Sequence, residues 1–222
     1  MKLLQILITL LTFYTAGFTQ HTIGVELRTS RNITYNSSRI EGGKYVLAGY
    51  TVTKEGNPTT STYSVGLNYS PNKVSTFKLH IGKHQNGRIV DLIAYDDIFS
   101  NSFEKVDLPY NYLQFVPSYT YNIRKGKFNI PIELGLAINK RINEDDIFYI
   151  QITEYNYDMR LSSGIQYNLN NFKIGSNIVY SKSISNYEVE NVIGEYKPYQ
   201  LGIEIGIAYT LSIDRLNTII KM

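Results

Sequence analysis

The chain has 222 residues, of which 43% are hydrophobic, 13% aromatic and 18% charged. That length can bury the core of one domain, and that apolar fraction excludes a disordered or fibrous protein. A net charge of +3 makes no electrostatic case for nucleic acid, and the absence of cysteine excludes disulfides, thiolate metal sites, cysteine nucleophiles and a lipid-bearing cysteine.

Residues 1–20 read MKLLQILITLLTFYTAGFTQ. Lys2 is followed by an apolar run from Leu3 to Tyr14 and then by the small residues Thr15, Ala16, Gly17 and Thr19. This is the pattern of a secretory signal peptide at 1–19, cleaved after Thr19. About 12 apolar residues fall short of the ~20 that a membrane-spanning helix needs.

Strict alternation then takes over. Weaker versions at 22–29, 61–70, 74–84 and 112–123 precede a clear one at 128–139, FNIPIELGLAIN. There Phe128, Ile130, Ile132, Leu134, Leu136 and Ile138 share one face, against Asn129, Pro131, Glu133, Gly135, Ala137 and Asn139. In 154–169 the face of Tyr155, Tyr157, Met159, Leu161, Ile165, Tyr167 and Leu169, apolar except for Ser163, opposes a polar one. Segment 172–184 is weaker, and 199–211 places Leu201, Ile203, Ile205 and Ile207 opposite Gln200, Gly202, Glu204 and Gly206. Period two over such lengths specifies strands, since a helix would scatter these residues around its circumference.

The faces are assigned by what they carry. The polar faces are rich in Gly, Ala, Ser and short polar groups, which suits a crowded interior better than a water-facing surface. The apolar faces end in tyrosine, as at Tyr63 and Tyr69, Tyr155 and Tyr167, and Tyr199 and Tyr209. Such strips face lipid, with tyrosine at both membrane interfaces. A soluble lipocalin-like barrel, with the apolar face inward, is the alternative.

Connection lengths agree with the membrane reading. Tight turns at Pro71-Asn72-Lys73, Arg124-Lys125-Gly126-Lys127 and Asn170-Asn171 alternate with long connections at 30–60, 85–111, 140–153 and 185–198. The expected fold is all-β: an eight-stranded antiparallel up-and-down transmembrane β-barrel over 20–212, with a short periplasmic tail at 213–222. Residues 45–53 are strand-like, and either extend a hairpin above the membrane or raise the count to ten.

Five stretches resemble the PorT-like outer-membrane β-barrel proteins of Bacteroidetes: Tyr112-Leu113-Gln114-Phe115-Val116-Pro117, Ile132-Glu133-Leu134-Gly135-Leu136, Leu161 to Tyr167, Tyr180-Ser181 through Asn186, and Gln200-Leu201-Gly202-Ile203 through Ala208-Tyr209. The likeness runs over roughly 20–211. It implies an outer-membrane barrel of a Gram-negative cell envelope and a link to protein secretion.

The expected inward charges are Glu26, Arg28, Lys78, His80, His84, Glu133, Glu154, Asp158, Arg160, Lys173 and Glu204. In a narrow barrel they should pair with one another, because an unpaired buried charge is costly. His80 and His84 share a strand face, but their Cα atoms stand about 13 Å apart, too far to hold one metal ion. Without a GxSxG elbow no hydrolase site is expected, so catalytic, cofactor and metal residues are none and the protein is not expected to be an enzyme. Asp96-Asp97 and Glu144-Asp145-Asp146 read as solvated loop charge, and Asn32-Ile33-Thr34 as an uninformative glycosylation match. Expected partners are outer-membrane lipid and envelope or secretion-system proteins. Two roles stay open: a structural or interaction protein with long outer loops, or an accessory of a secretion or transport system.

Overall fold

The computed structural model describes residues 21–35, 45–47, 50–94, 103–142, 153–187 and 197–213. The expected signal peptide, both acidic loop clusters and residues 214–222 of the expected tail lie outside them. The strands are β1 (Thr22–Tyr35), β2 (Tyr45–Leu47), β3 (Tyr50–Gly56), β4 (Thr59–Ser70), β5 (Ser75–Ala94), β6 (Phe103–Lys125), β7 (Phe128–Arg141), β8 (Tyr155–Leu169), β9 (Phe172–Ser183) and β10 (Tyr199–Ser212).

Eight of them close into an antiparallel ring in the order β1-β4-β5-β6-β7-β8-β9-β10, with β10 pairing back to β1 and β5 pairing to β6. The register fixes the shape of that ring. Cross-strand partners lead from Arg124 through Asn129, Gln166, Gly175, Gly206, Arg28, Ser64 and Gly82 back to β6 at Gln114, ten residues from the start. A stagger of that size over eight strands tilts them by about 40° from the barrel axis. Closure leaves the ring with no unpaired edge, which a sheet in hydrocarbon requires.

Side chains follow the alternation read from the sequence. Along β10, Ile203 is 60% and Ile205 53% exposed, while Glu204 between them is 2% exposed. The outer face therefore carries the apolar set and the lumen the polar set. From Tyr199 to Tyr209 the strand rises about 25 Å along the axis at ~3.3 Å per residue and ~40° tilt, matching the apolar band of such barrels. Aromatic pairs mark its lower limit, Phe128 with Tyr167 and Phe172 with Tyr209, and Tyr35 stacks on Tyr199 at the upper one. This is a lipid-facing exterior, and the chain is an outer-membrane barrel.

Three tight turns close one end. Gly126 (φ 62°) and Asn170 (φ 52°) take the left-handed conformation that a two-residue connection demands. At the third turn the Asn72 side-chain oxygen accepts from the amides of Val74 and Ser75, at 2.8 and 2.7 Å. By the rule for such barrels this end faces the periplasm and the long connections face outside.

At the outer end the strands run further than expected. β5 and β6 stay paired out to Ile93 and Phe103, inside the segment read as loop from 85 to 111. The apolar alternation stops near Gln85, but ladder hydrogen bonds need no apolar face, so pairing continues into water. The strand-like stretch at 45–53 resolves the strand count: β2 and β3 form a hairpin whose β3 joins the upper half of β5. They lie outside the ring of eight.

Candidate functional site: the sealed lumen

β1, β4, β5, β7, β8 and β10 each turn polar residues inward at mid-height. Arg28 donates through Nη1 and Nη2 to Glu133 Oε1 and Oε2 at 2.7 and 2.8 Å. The same guanidinium meets Glu26, with Nε 3.0 Å from Oε1. Lys78 Nζ lies 3.0 Å from Glu133 and 3.3 Å from Glu26. Arg160 pairs with Glu204, whose Oε1 is 3.5 Å from Arg28. Three carboxylates thus face two guanidinium groups and one amine, all with buried side chains.

Hydroxyls and an amide use the remaining lone pairs. Ser118 and Thr120 donate to Glu133 at 3.2 and 3.1 Å, and Asn68 donates to Glu26 at 2.9 Å. Charge-assisted bonds of this density hold ions in a low-dielectric space at tolerable cost. His80 faces Glu26 with Nε2 3.4 Å from Oε2, and its ring lies against Gly66. A Cβ at Gly66 would overlap that ring, so glycine is what lets β4 carry the imidazole of β5 across it.

Above this layer a cavity of about 10 Å³, lined by Thr62, His84, Gln114 and Arg160 among others, has room for about one water molecule. His84 Nδ1 lies 2.9 Å from Thr62 Oγ1. Higher still, Tyr187 enters from the β9–β10 connection. Its hydroxyl donates to Asp158 at 2.8 Å, and Asn139 donates to the same carboxylate oxygen at 2.8 Å. Its ring meets Tyr112 edge-on at 5.4 Å. The backbone amide of Thr153 bonds to the Tyr187 carbonyl at 3.0 Å, joining two outer connections over the mouth. Burial, then the adjacent Asp158 carboxylate, hold the Tyr187 phenol well above its usual pKa, so it remains a donor.

The expected inward set is mostly where the alternation places it. Glu26, Arg28, Lys78, His80, Glu133, Arg160 and Glu204 meet in one network. Asp158 and His84 belong to the upper layer, while Lys173 points inward near the lower mouth with no ion-pair partner among the described residues. Glu154 is a correction. It precedes β8, where alternation no longer governs direction, and its 67% exposed side chain lies 3.8 Å from Lys140 on the outside. Asn32 faces the lumen and donates to Ser30, so the glycosylation match is buried. No three His, Asp or Glu side chains gather as a metal site among the described residues. Ser64, His80 and Glu26 fall in one line, with Ser64 Oγ 3.4 Å from His80 Nδ1, but Glu26 is engaged by Arg28 and Lys78. Tyr112 and Tyr187 were not among the residues expected in the lumen. The alternation does hold a signal for Tyr112, since outward Leu113 and Phe115 require it to point inward.

No family model matches the chain, and no curated protein matches it. Among solved structures it is similar to Neisserial surface protein A, at a TM-score of 0.53 and 10% identity over 84% of this chain and 96% of that one. It is also similar to the outer membrane protein OprG from Pseudomonas aeruginosa (TM-score 0.46, 13% identity, 87% and 96% covered). A third is Ail, the attachment invasion locus protein of Yersinia pestis (TM-score 0.42, 10% identity, 87% and 100% covered). The first of these establishes a common fold, the closed eight-strand barrel.

Proposed function

We propose that this outer-membrane barrel conducts no solute and works from its outside, as a structural or interaction protein whose long outer loops contact partners. The observation that carries this is the Arg28–Glu133 bridge. β1 and β7 stand four strands apart in either direction around the ring, so the bridge crosses the full width of the lumen. A barrel of eight strands has no space beside it for a channel. The same crowding argues against enzyme chemistry inside, because the cavity beside His84 has room for about one water molecule.

Reconstitution in planar bilayers tests the first half: the protein gives no stable large conductance, and steady porin-like steps would contradict the reading. Photo-cross-linkers at Ile142 and Ile184, exposed at the outer end, test the second. They should capture discrete envelope partners in intact cells; labelling of lipid alone would count against an interaction role. A secretion-accessory role is the second reading, favoured by the PorT-like stretches from Tyr112 to Tyr209. It requires secretion-machinery proteins among the captured partners.

A further inference from the structure

Among the described ring residues the outer face is largely apolar, with single hydroxyl side chains such as Thr29 and Ser163, Lys125 at the short-turn end, and a set of cations in one zone at the other end. Arg31 on β1, Lys83 on β5, Lys140 on β7 and Lys182 on β9 all point outward and are exposed. These four strands alternate with β4, β6, β8 and β10 around the ring, so the charges are spread evenly over its circumference. Arg31, Lys140 and Lys182 lie in the outer half of their strands, and Lys83 follows Ile81, the last apolar residue of its outward row before β5 continues beyond the ring, so all four stand at the limit of the apolar band on the long-loop side. Three have a tyrosine as direct cross-strand partner: Lys83 opposite Tyr63, Lys140 opposite Tyr155, and Lys182 opposite Tyr199.

Counter-charge is scarce there. Lys140 has Glu154 at 3.8 Å, while Arg31, Lys83 and Lys182 have no carboxylate within ion-pair distance among the described residues. A cation left facing lipid is costly unless it meets an anion or water at the interface. Inside the lumen the same chain matches three carboxylates to three cations. Outside, the anion must come from the surroundings, at the depth where headgroups of the outer leaflet lie. Lys and Arg bind phosphate oxygens through charge-assisted hydrogen bonds, and an adjacent tyrosine adds a donor and an amphipathic ring suited to that depth.

We propose that Arg31, Lys83 and Lys182, with Lys140, form a girdle that binds phosphorylated lipid headgroups of the outer leaflet. The bound group is a phosphate monoester or diester on a lipid, held at the rim of the apolar belt and not in the lumen.

The test uses the full-length folded protein in detergent, read by the temperature at which its heat-modifiable gel band converts. Four additions are compared: bis-phosphorylated lipid A, its dephosphorylated form, inorganic phosphate at equal concentration, and none. The expected result is a rise in conversion temperature with the phosphorylated lipid alone. The triple variant Arg31→Gln, Lys83→Gln, Lys182→Gln should keep a heat-modifiable barrel and lose that rise. An equal response to the dephosphorylated lipid, or an undiminished response of the triple variant, would overturn the proposal. An equal response to inorganic phosphate would also overturn it, because the site would then take a free anion. Should the triple variant fail to fold, single variants assayed the same way replace it, each expected to weaken the rise.

Discussion

Arg28 and Glu133 stand on opposite walls of the barrel and hold each other through two parallel hydrogen bonds of 2.7 and 2.8 Å. They are 105 residues apart in the chain, and only closure of the ring brings them together. The pair joins the walls and occupies the space a channel would need.

Removing one partner leaves the other charge buried. Glu133→Gln leaves three buried cations facing the two carboxylates Glu26 and Glu204 and should destabilise the barrel by about 3–5 kcal/mol. The double variant Arg28→Met, Glu133→Leu leaves Lys78 with Glu26 and Arg160 with Glu204, so charge stays matched. It should cost less than the sum of its singles by more than about 1 kcal/mol. Urea unfolding of the four proteins in lipid bilayers gives that coupling; simple additivity would refute a concerted network.

Neighbouring residues on β10 probe both faces. Ile205→Arg puts a charge near the bilayer midplane and should cost about 2–4 kcal/mol. From the sequence, Glu204→Gln is expected to cost less unless Glu204 sits in a tight ion pair. It does sit in one, with Arg160, so its loss should be comparable to that of Ile205→Arg. The two are separated by rescue: a second change at Arg160 to Met should recover part of the Glu204→Gln loss and none of the Ile205→Arg loss.

The upper plug has its own signature. Tyr187→Phe removes the hydroxyl that Asp158 accepts from, leaving a buried carboxylate short of a donor at a cost of about 1–3 kcal/mol. The amide of Thr153, bonded to the Tyr187 carbonyl, should then exchange faster with solvent, while amides at mid-strand in β7 and β8 keep their protection. Unchanged exchange at Thr153 would mean that the phenol does not hold the mouth closed.

The barrel was legible because its strands are long and two-faced: every ring strand shows alternation, and Gly126 and Asn170 sit where tight turns need left-handed backbone. Inward direction followed from the same period for Glu26, Arg28 and Glu204. Who pairs with whom was not legible, because Arg28 meets Glu133 only through a ten-residue stagger summed around the ring. Glu154 was misplaced for a local reason, lying one residue before β8 begins. Tyr187 left no pattern at all, since its position depends on a connection folding back over residues far away in sequence. Lys83 was visible in the row of Phe77, Leu79 and Ile81, but a single cation in an apolar row gains meaning only beside Arg31 and Lys182.

The central claim is that the apolar face of each strand meets lipid and the polar face fills the lumen, and labelling along β10 tests it most directly. Single cysteines at 203, 204, 205, 206 and 207, placed in a chain with none of its own, carry spin labels in the reconstituted protein. Lipid-embedded quenchers should reach positions 203, 205 and 207 and miss 204 and 206, with the odd set shielded from water-soluble maleimide until denaturant is added. Quenching of 204 and 206, or of none of the five, would contradict the account.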